Sequence, residues 1–202
     1  MQHALVFDCE YLTIEGSPSR HWCGPYDPDP VIVQIGVVKI GLGSDFPLLD
    51  TFNALVVPRD REGRVVALDP FFTSLTGIEQ ADVDHHGLPL GEALSSLDAF
   101  SGGGKLWSWG KDELNLLAIS CFVQGIAVPL PATRFGNACQ LFLKAGMPYS
   151  DIQKTRSNGV AAYWSLESEN LREHNALDDA RSVAFAIRHL LRLGKLVGDD
   201  LQ

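Results

Sequence analysis

The chain has 202 residues, 46% hydrophobic and 20% charged, the make-up of an ordinary globular protein with room for a substantial core. No apolar stretch reaches the roughly 20 residues of a membrane span, and residues 1–7 lack the charged head and cleavage site of a secretory signal, so a cytoplasmic protein with no membrane partner is expected. The net charge of −9, from 16 Lys+Arg against 25 Asp+Glu, disfavours a tight, processive grip on duplex DNA, where a basic face is the usual footprint. It leaves open a short or single-stranded nucleic acid, which needs only a few local phosphate contacts.

Residues 4–9 are predicted as a strand, and at its end Asp8 and Glu10 stand one residue apart. A strand alternates its faces with a period of two, so both carboxylates point the same way. Either the strand runs out into a solvated acidic turn, or a divalent cation relieves the repulsion, since hard Mg²⁺ and Mn²⁺ take carboxylate oxygen. Residues 13–30 hold Gly16, Pro18, Gly24, Pro25, Pro28 and Pro30 and form a long loop. The β-branched run at 31–40 and the stretch 46–57 read as two further strands, joined through the Gly-rich turn at 41–46. That turn half-matches a dinucleotide fingerprint, but it lacks the third glycine and precedes a strand, so a hairpin is expected.

Helical spacing follows at 70–78 and 90–100, then a short strand at 105–109 and an amphipathic helix at 112–124. Residues 134–145 are predicted helical, and 157–166 a further short helix with Ser157 as its cap. The last element, 176–193, carries Val183, Ile187, Leu190 and Leu191 on one face with Gly194 beyond its end. Strands first, then helices alternating with short strands, make one mixed α/β domain over 1–202. Cys9, Cys23, Cys121 and Cys139 show no C-x-x-C spacing; disulfides and structural zinc are not expected, and Cys121 and Cys139 are read as small buried apolar groups.

Two more acids lie where a metal site could recruit them. Asp112 sits at a strand-to-helix junction and Asp179 at a helix start; taken singly, each reads equally well as a first-turn acid. His174 stands five residues before Asp179. Together, Asp8-Cys9-Glu10, Asp112 followed by Leu116, and His174-Asn175-Ala176-Leu177-Asp178-Asp179-Ala180 resemble the DEDDh family of 3′-to-5′ exonucleases, which includes ribonuclease T, oligoribonuclease and the proofreading subunit of bacterial DNA polymerase III. Residues 32–38 resemble the family's second strand, Leu75-Thr76-Gly77-Ile78 its L-T-G-I signature, and Ser108-Trp109-Gly110 the Eri1-type exoribonuclease branch. Tyr11 where a small residue is common, Gln34 in place of a frequent Glu, and the long 13–30 loop are departures. They bear on substrate choice more than on catalysis.

The resemblance implies a ribonuclease-H-like mixed sheet, its first three strands antiparallel and the rest parallel, flanked by helices. It also implies two Mg²⁺ or Mn²⁺ ions held by Asp8, Glu10, Asp112 and Asp179, with Asp8 bridging and His174 as general base. Asp178 competes with Asp179 as ligand, and register from His174 favours Asp179. The expected activity is release of nucleoside 5′-monophosphates from single-stranded RNA or DNA 3′ ends, RNA slightly favoured. A proofreading or repair deoxyribonuclease, or a non-catalytic module of the same fold, is the alternative. Substrate-binding candidates are Tyr11 and Leu12 beside the first motif, Trp22 and Tyr26 as stacking aromatics in the loop, and Lys154, Arg156 and Arg172 as phosphate contacts. Trp22 and Tyr26 could equally anchor the loop. Many members of the family are dimers, so a homodimer is carried as an expectation, although no interface is legible in the chain.

Overall fold

A computed structural model describes residues 2–166 and 171–202. Five strands, β1 (His3–Tyr11), β2 (Ile32–Gly41), β3 (Leu48–Leu55), β4 (Leu106–Ser108) and β5 (Phe135–Asn137), form one sheet in the order β3-β2-β1-β4-β5. β1–β2 and β2–β3 are antiparallel, while β1–β4 and β4–β5 are parallel. The mixed sheet expected from the sequence is therefore present. Short loops suffice for the antiparallel hairpins, whereas each parallel step needs a helical crossover.

Those crossovers and flanks are α1 (Pro70–Thr76), α2 (Gln80–His86), α3 (Leu90–Ser101), α4 (Asp112–Val123), α5 (Ala138–Lys144), α6 (Tyr149–Ile152), α7 (Val160–Tyr163) and α8 (Ala176–Arg192). Asp69 and Asn137 cap α1 and α5 through their side chains. The segment 134–145 is not one helix. Its first residues, Phe135-Gly136-Asn137, pair with β4 instead, because Gly136 lets the strand lie against the Trp107 ring where any Cβ would collide. Ser157 is not a cap either; it opens a short 3-10 turn preceded by Arg156, and its side chain turns towards Asp179.

Alternation along β1 divides the core. Ala4 and Val6 pack with Val38, Ile40, Ala180, Val183, Ala184 and Ile187 beneath α8. Leu5, Phe7 and Cys9 face the other way, onto Leu94 and Leu97 of α3 and Leu117 and Cys121 of α4. A smaller cluster of Leu12, Val31, Val33, Phe72, Ile78 and Val83 closes the end beside α1 and α2. Cys121 is buried and Cys139 half-buried, and all four cysteines are free thiols. Among the described residues no helix is long and apolar enough to cross a membrane.

Candidate active site

The period of two that sends Ala4 and Val6 to α8 sends Asp8 and Glu10 there as well. Opposite them on β2 stand Gly36, paired with Asp8, and Gln34, paired with Glu10. Directly opposed residues share a face, so both also look towards α8, and both shape the site. A Cβ at Gly36 would come within 3.0 Å of the Leu177 backbone nitrogen and the Ala176 carbonyl carbon, so only glycine lets the helix start settle on the sheet. Buried Gln34 accepts a hydrogen bond from the Ala176 N–H at 3.0 Å and donates one to Asn53 Oδ1 at 3.0 Å. The first of these satisfies one of the four amides that a helix N-terminus leaves open. A glutamate at 34 would lose the donor to Asn53 and add another negative charge; glutamine avoids both.

With α8 seated this way, Asp179 in its first turn reaches the strand acids. Ligand oxygens of Asp8, Glu10 and Asp179 all lie within 4.8 Å of one another, and all three residues are buried. Burial first, and then the neighbouring carboxylates of Glu113, Asp179 and Glu10, hold Asp8 well above the usual carboxylate range. The same causes, burial and then Asp179 and Glu113, push Glu10 up to about 8. Asp179 is raised to about 7 by burial and by Asp178 and Glu173, against the opposing pull of the His174 backbone amide and the Ser157 side chain. Among the described residues no ion pair offsets any of the three charges. Metal-free, the cluster is a region of uncompensated repulsion.

His174 has its backbone in the left-handed region at φ 58, a conformation histidine adopts more readily than most residues. That conformation aims its N–H at the Asp179 carboxylate. The side chain is only half-buried. Asp178 is engaged elsewhere: it pairs with Arg181 at 2.8 Å and accepts from the Arg172 N–H at 3.1 Å.

Other residues singled out from the sequence are placed differently. Asp112 is exposed at the start of α4 and is not among the three clustered acids, whereas its neighbour Glu113 is buried and turns towards Asp8. Tyr11 packs on the α3 face of the sheet, opposite to Glu10, and Leu12 is buried in the cluster beside α1. Trp22 is half-buried and its Nε1 donates to the Leu12 carbonyl at 2.9 Å, which anchors the 13–30 loop. Tyr26, in contrast, is 89% exposed. Lys154, Arg156 and Arg172 are exposed, and the Arg172 guanidinium lies over Gly77 where a Cβ would overlap it. Ser157 and Glu113 are the contributors the sequence did not single out.

The sequence matches no protein-family model and no curated protein. Solved structures do match. The nuclease domain of 3′hExo, a DEDDh family member bound to rAMP, is 21% identical over 95% of this chain and 92% of that one, with a TM-score of 0.78. A 3′-exonuclease in a structure of 3′-end specific recognition of a histone mRNA stem-loop is 20% identical over 95% of this chain and 82% of that one, at 0.74. Exonuclease I of E. coli, in complex with single-stranded DNA, is 13% identical over 98% of this chain but only 42% of its own length, at 0.59. At these identities the likeness is one of architecture, and it establishes that the chain has the fold of the DEDDh 3′-exonucleases.

Proposed function

We propose that the chain is a metal-dependent 3′-to-5′ exonuclease that releases nucleoside 5′-monophosphates from single-stranded ends, with RNA slightly favoured over DNA. The observation that carries this reading is the trio Asp8, Glu10 and Asp179, buried, mutually within 4.8 Å and unpaired with any cation among the described residues. Three repelling carboxylates have no structural reason to be gathered there, and an all-oxygen donor set suits Mg²⁺ or Mn²⁺. Two such ions, when bound, would stabilise the attacking and leaving oxygens of an in-line displacement at phosphorus.

The chain's own residues supply the remainder. Asp8 would be the shared ligand, with Glu10 and Asp179 completing the set. The His174 amide and the Ser157 side chain favour the charged form of the Asp179 carboxylate. The half-buried His174 imidazole would take a proton from the attacking water as its oxygen bonds to phosphorus and the bond to the 3′ oxygen of the preceding nucleotide breaks. Tyr26, exposed in the loop, could stack on a base, and Lys154, Arg156 and Arg172 are the cations available to phosphates near the segment leading into α8.

The neighbours include structures with rAMP, with an mRNA stem-loop and with single-stranded DNA, so the choice between RNA and DNA is part of the proposal and is open to direct test. Initial rates on matched single-stranded RNA and DNA oligonucleotides with Mn²⁺ test it. RNA is expected to be degraded faster. Faster DNA would favour a proofreading or repair enzyme, and equal rates on blunt duplex would count against a single-strand enzyme of either kind.

A further inference from the structure

β4 ends at Ser108, and Gly110, at φ 96, turns the chain into α4. Successive residues on a helix point about 100° apart, so Asp112 and Glu113 are turned in different directions from the helix axis. Asp112 is exposed and Glu113 is 7% exposed. The Glu113 Oε2 is buried and has no hydrogen-bond partner among the described residues. A buried carboxylate oxygen left so is more costly than an ordinary unsatisfied polar group. No ion pair to Glu113 offsets it among the described residues.

Glu113 is an electrostatic neighbour of Asp8, the two carboxylates acting on one another. Glu113 stands outside the compact trio. An ion held by Asp8, Glu10 and Asp179 would therefore leave its free oxygen unmatched. A second ion beside Asp8 would match it.

We infer that Glu113, and not Asp112, is the fourth acidic ligand of this chain, holding a second divalent cation together with Asp8. Residue type alone points to Asp112; the phase of α4 after Gly110 turns Glu113 inward instead. The inference rests on the two-metal reading above, and the experiment separates the two.

Calorimetric titration of Mn²⁺ into the unaltered chain, Glu113→Gln and Asp112→Asn, with circular dichroism as a check on folding, reads ligand identity without reference to turnover. The unaltered chain should bind two Mn²⁺ ions. Glu113→Gln should lose one of them or weaken it by at least about tenfold, the scale on which losing even an outer partner of a ligand acts. Asp112→Asn should keep both. Should Glu113→Gln fail to fold, Glu113→Asp withdraws the same carboxylate by one methylene and must weaken the same single ion. Two ions in the unaltered chain with loss on Asp112→Asn, or with no effect of either Glu113 variant, would overturn the assignment and leave the two-metal reading standing. No Mn²⁺ bound by the unaltered chain would overturn both.

Discussion

Gly36→Ala is the smallest change that should take the site apart without touching a carboxylate. The added methyl would come inside 3.0 Å of three backbone atoms of the Ala176–Leu177 peptide, where ordinary contact begins at 3.4 Å. Neither the sheet interior nor the first turn of α8 is a flexible side-chain end, so the helix start must back away by several tenths of an ångström or more. Overpacking of this kind costs about 1–3 kcal/mol. Loosening the 3.0 Å bond from the Ala176 N–H to Gln34 leaves a buried donor poorly matched, at about another 1–3 kcal/mol. Asp179 rides on that turn, so its carboxylate retreats from Asp8 and Glu10. Misplacement approaching 1 Å costs activity about 10²-fold. Urea unfolding should show a loss of at least about 2 kcal/mol, taken from those two contributions, and Mn²⁺ should raise the melting temperature less than in the unaltered chain. A variant with unchanged stability and an unchanged Mn²⁺ response would refute the claim that Gly36 seats the helix.

The metal-free protein should lose stability with rising pH. Glu10 is raised from 4.5 to about 8 and Asp179 from 3.8 to about 7 in the folded state, so the native state holds more protons than the unfolded one between those limits. The stability is full below about pH 4 and is lost as pH rises to about 8; saturating Mn²⁺ should flatten the slope, and a melt that is flat without metal would contradict the burial of the trio. Gln34→Leu strands the Ala176 N–H and Asn53 Oδ1 together and should destabilise by about 1–3 kcal/mol per group in urea unfolding, whereas a neutral outcome would show that the glutamine bridge is dispensable. Asp8→Ala should abolish both activity and Mn²⁺ binding. His174→Ala should lower turnover by about 10²–10⁴-fold while Mn²⁺ binding survives, and calorimetry showing His174→Ala to be as metal-poor as Asp8→Ala would remove the general-base assignment.

The antiparallel-then-parallel sheet was legible because strong periodicities mark its main parts: the alternating run of β1, the β-branched run of β2 and the apolar face of α8. The placement of Asp8 and Glu10 on one face follows from the same alternation. What local pattern does not carry is contact between distant segments. β5 has three residues, too few for a period to show, and it forms because Gly136 can lie against Trp107. α2 went unrecognised because only Val83 of its seven residues is buried, which leaves no apolar stripe to read. Tyr11 and Leu12 follow the first motif directly, but the next step of the alternation and the core beside α1 take both into packing. Asp112 and Glu113 are adjacent and equally acidic, and only the phase of α4 distinguishes them. Ser157 reads as a cap in sequence and meets Asp179 only because α7 and α8 pack together.

The identity of the product tests the central claim most directly. Single-stranded RNA incubated with the chain and Mn²⁺ should yield nucleoside 5′-monophosphates, shortening a 5′-labelled strand one nucleotide at a time from its 3′ end, and Asp8→Ala should yield nothing. Nucleoside 3′-monophosphates, internal cleavage, or equal product from Asp8→Ala would contradict a 3′-to-5′ exonuclease built on Asp8.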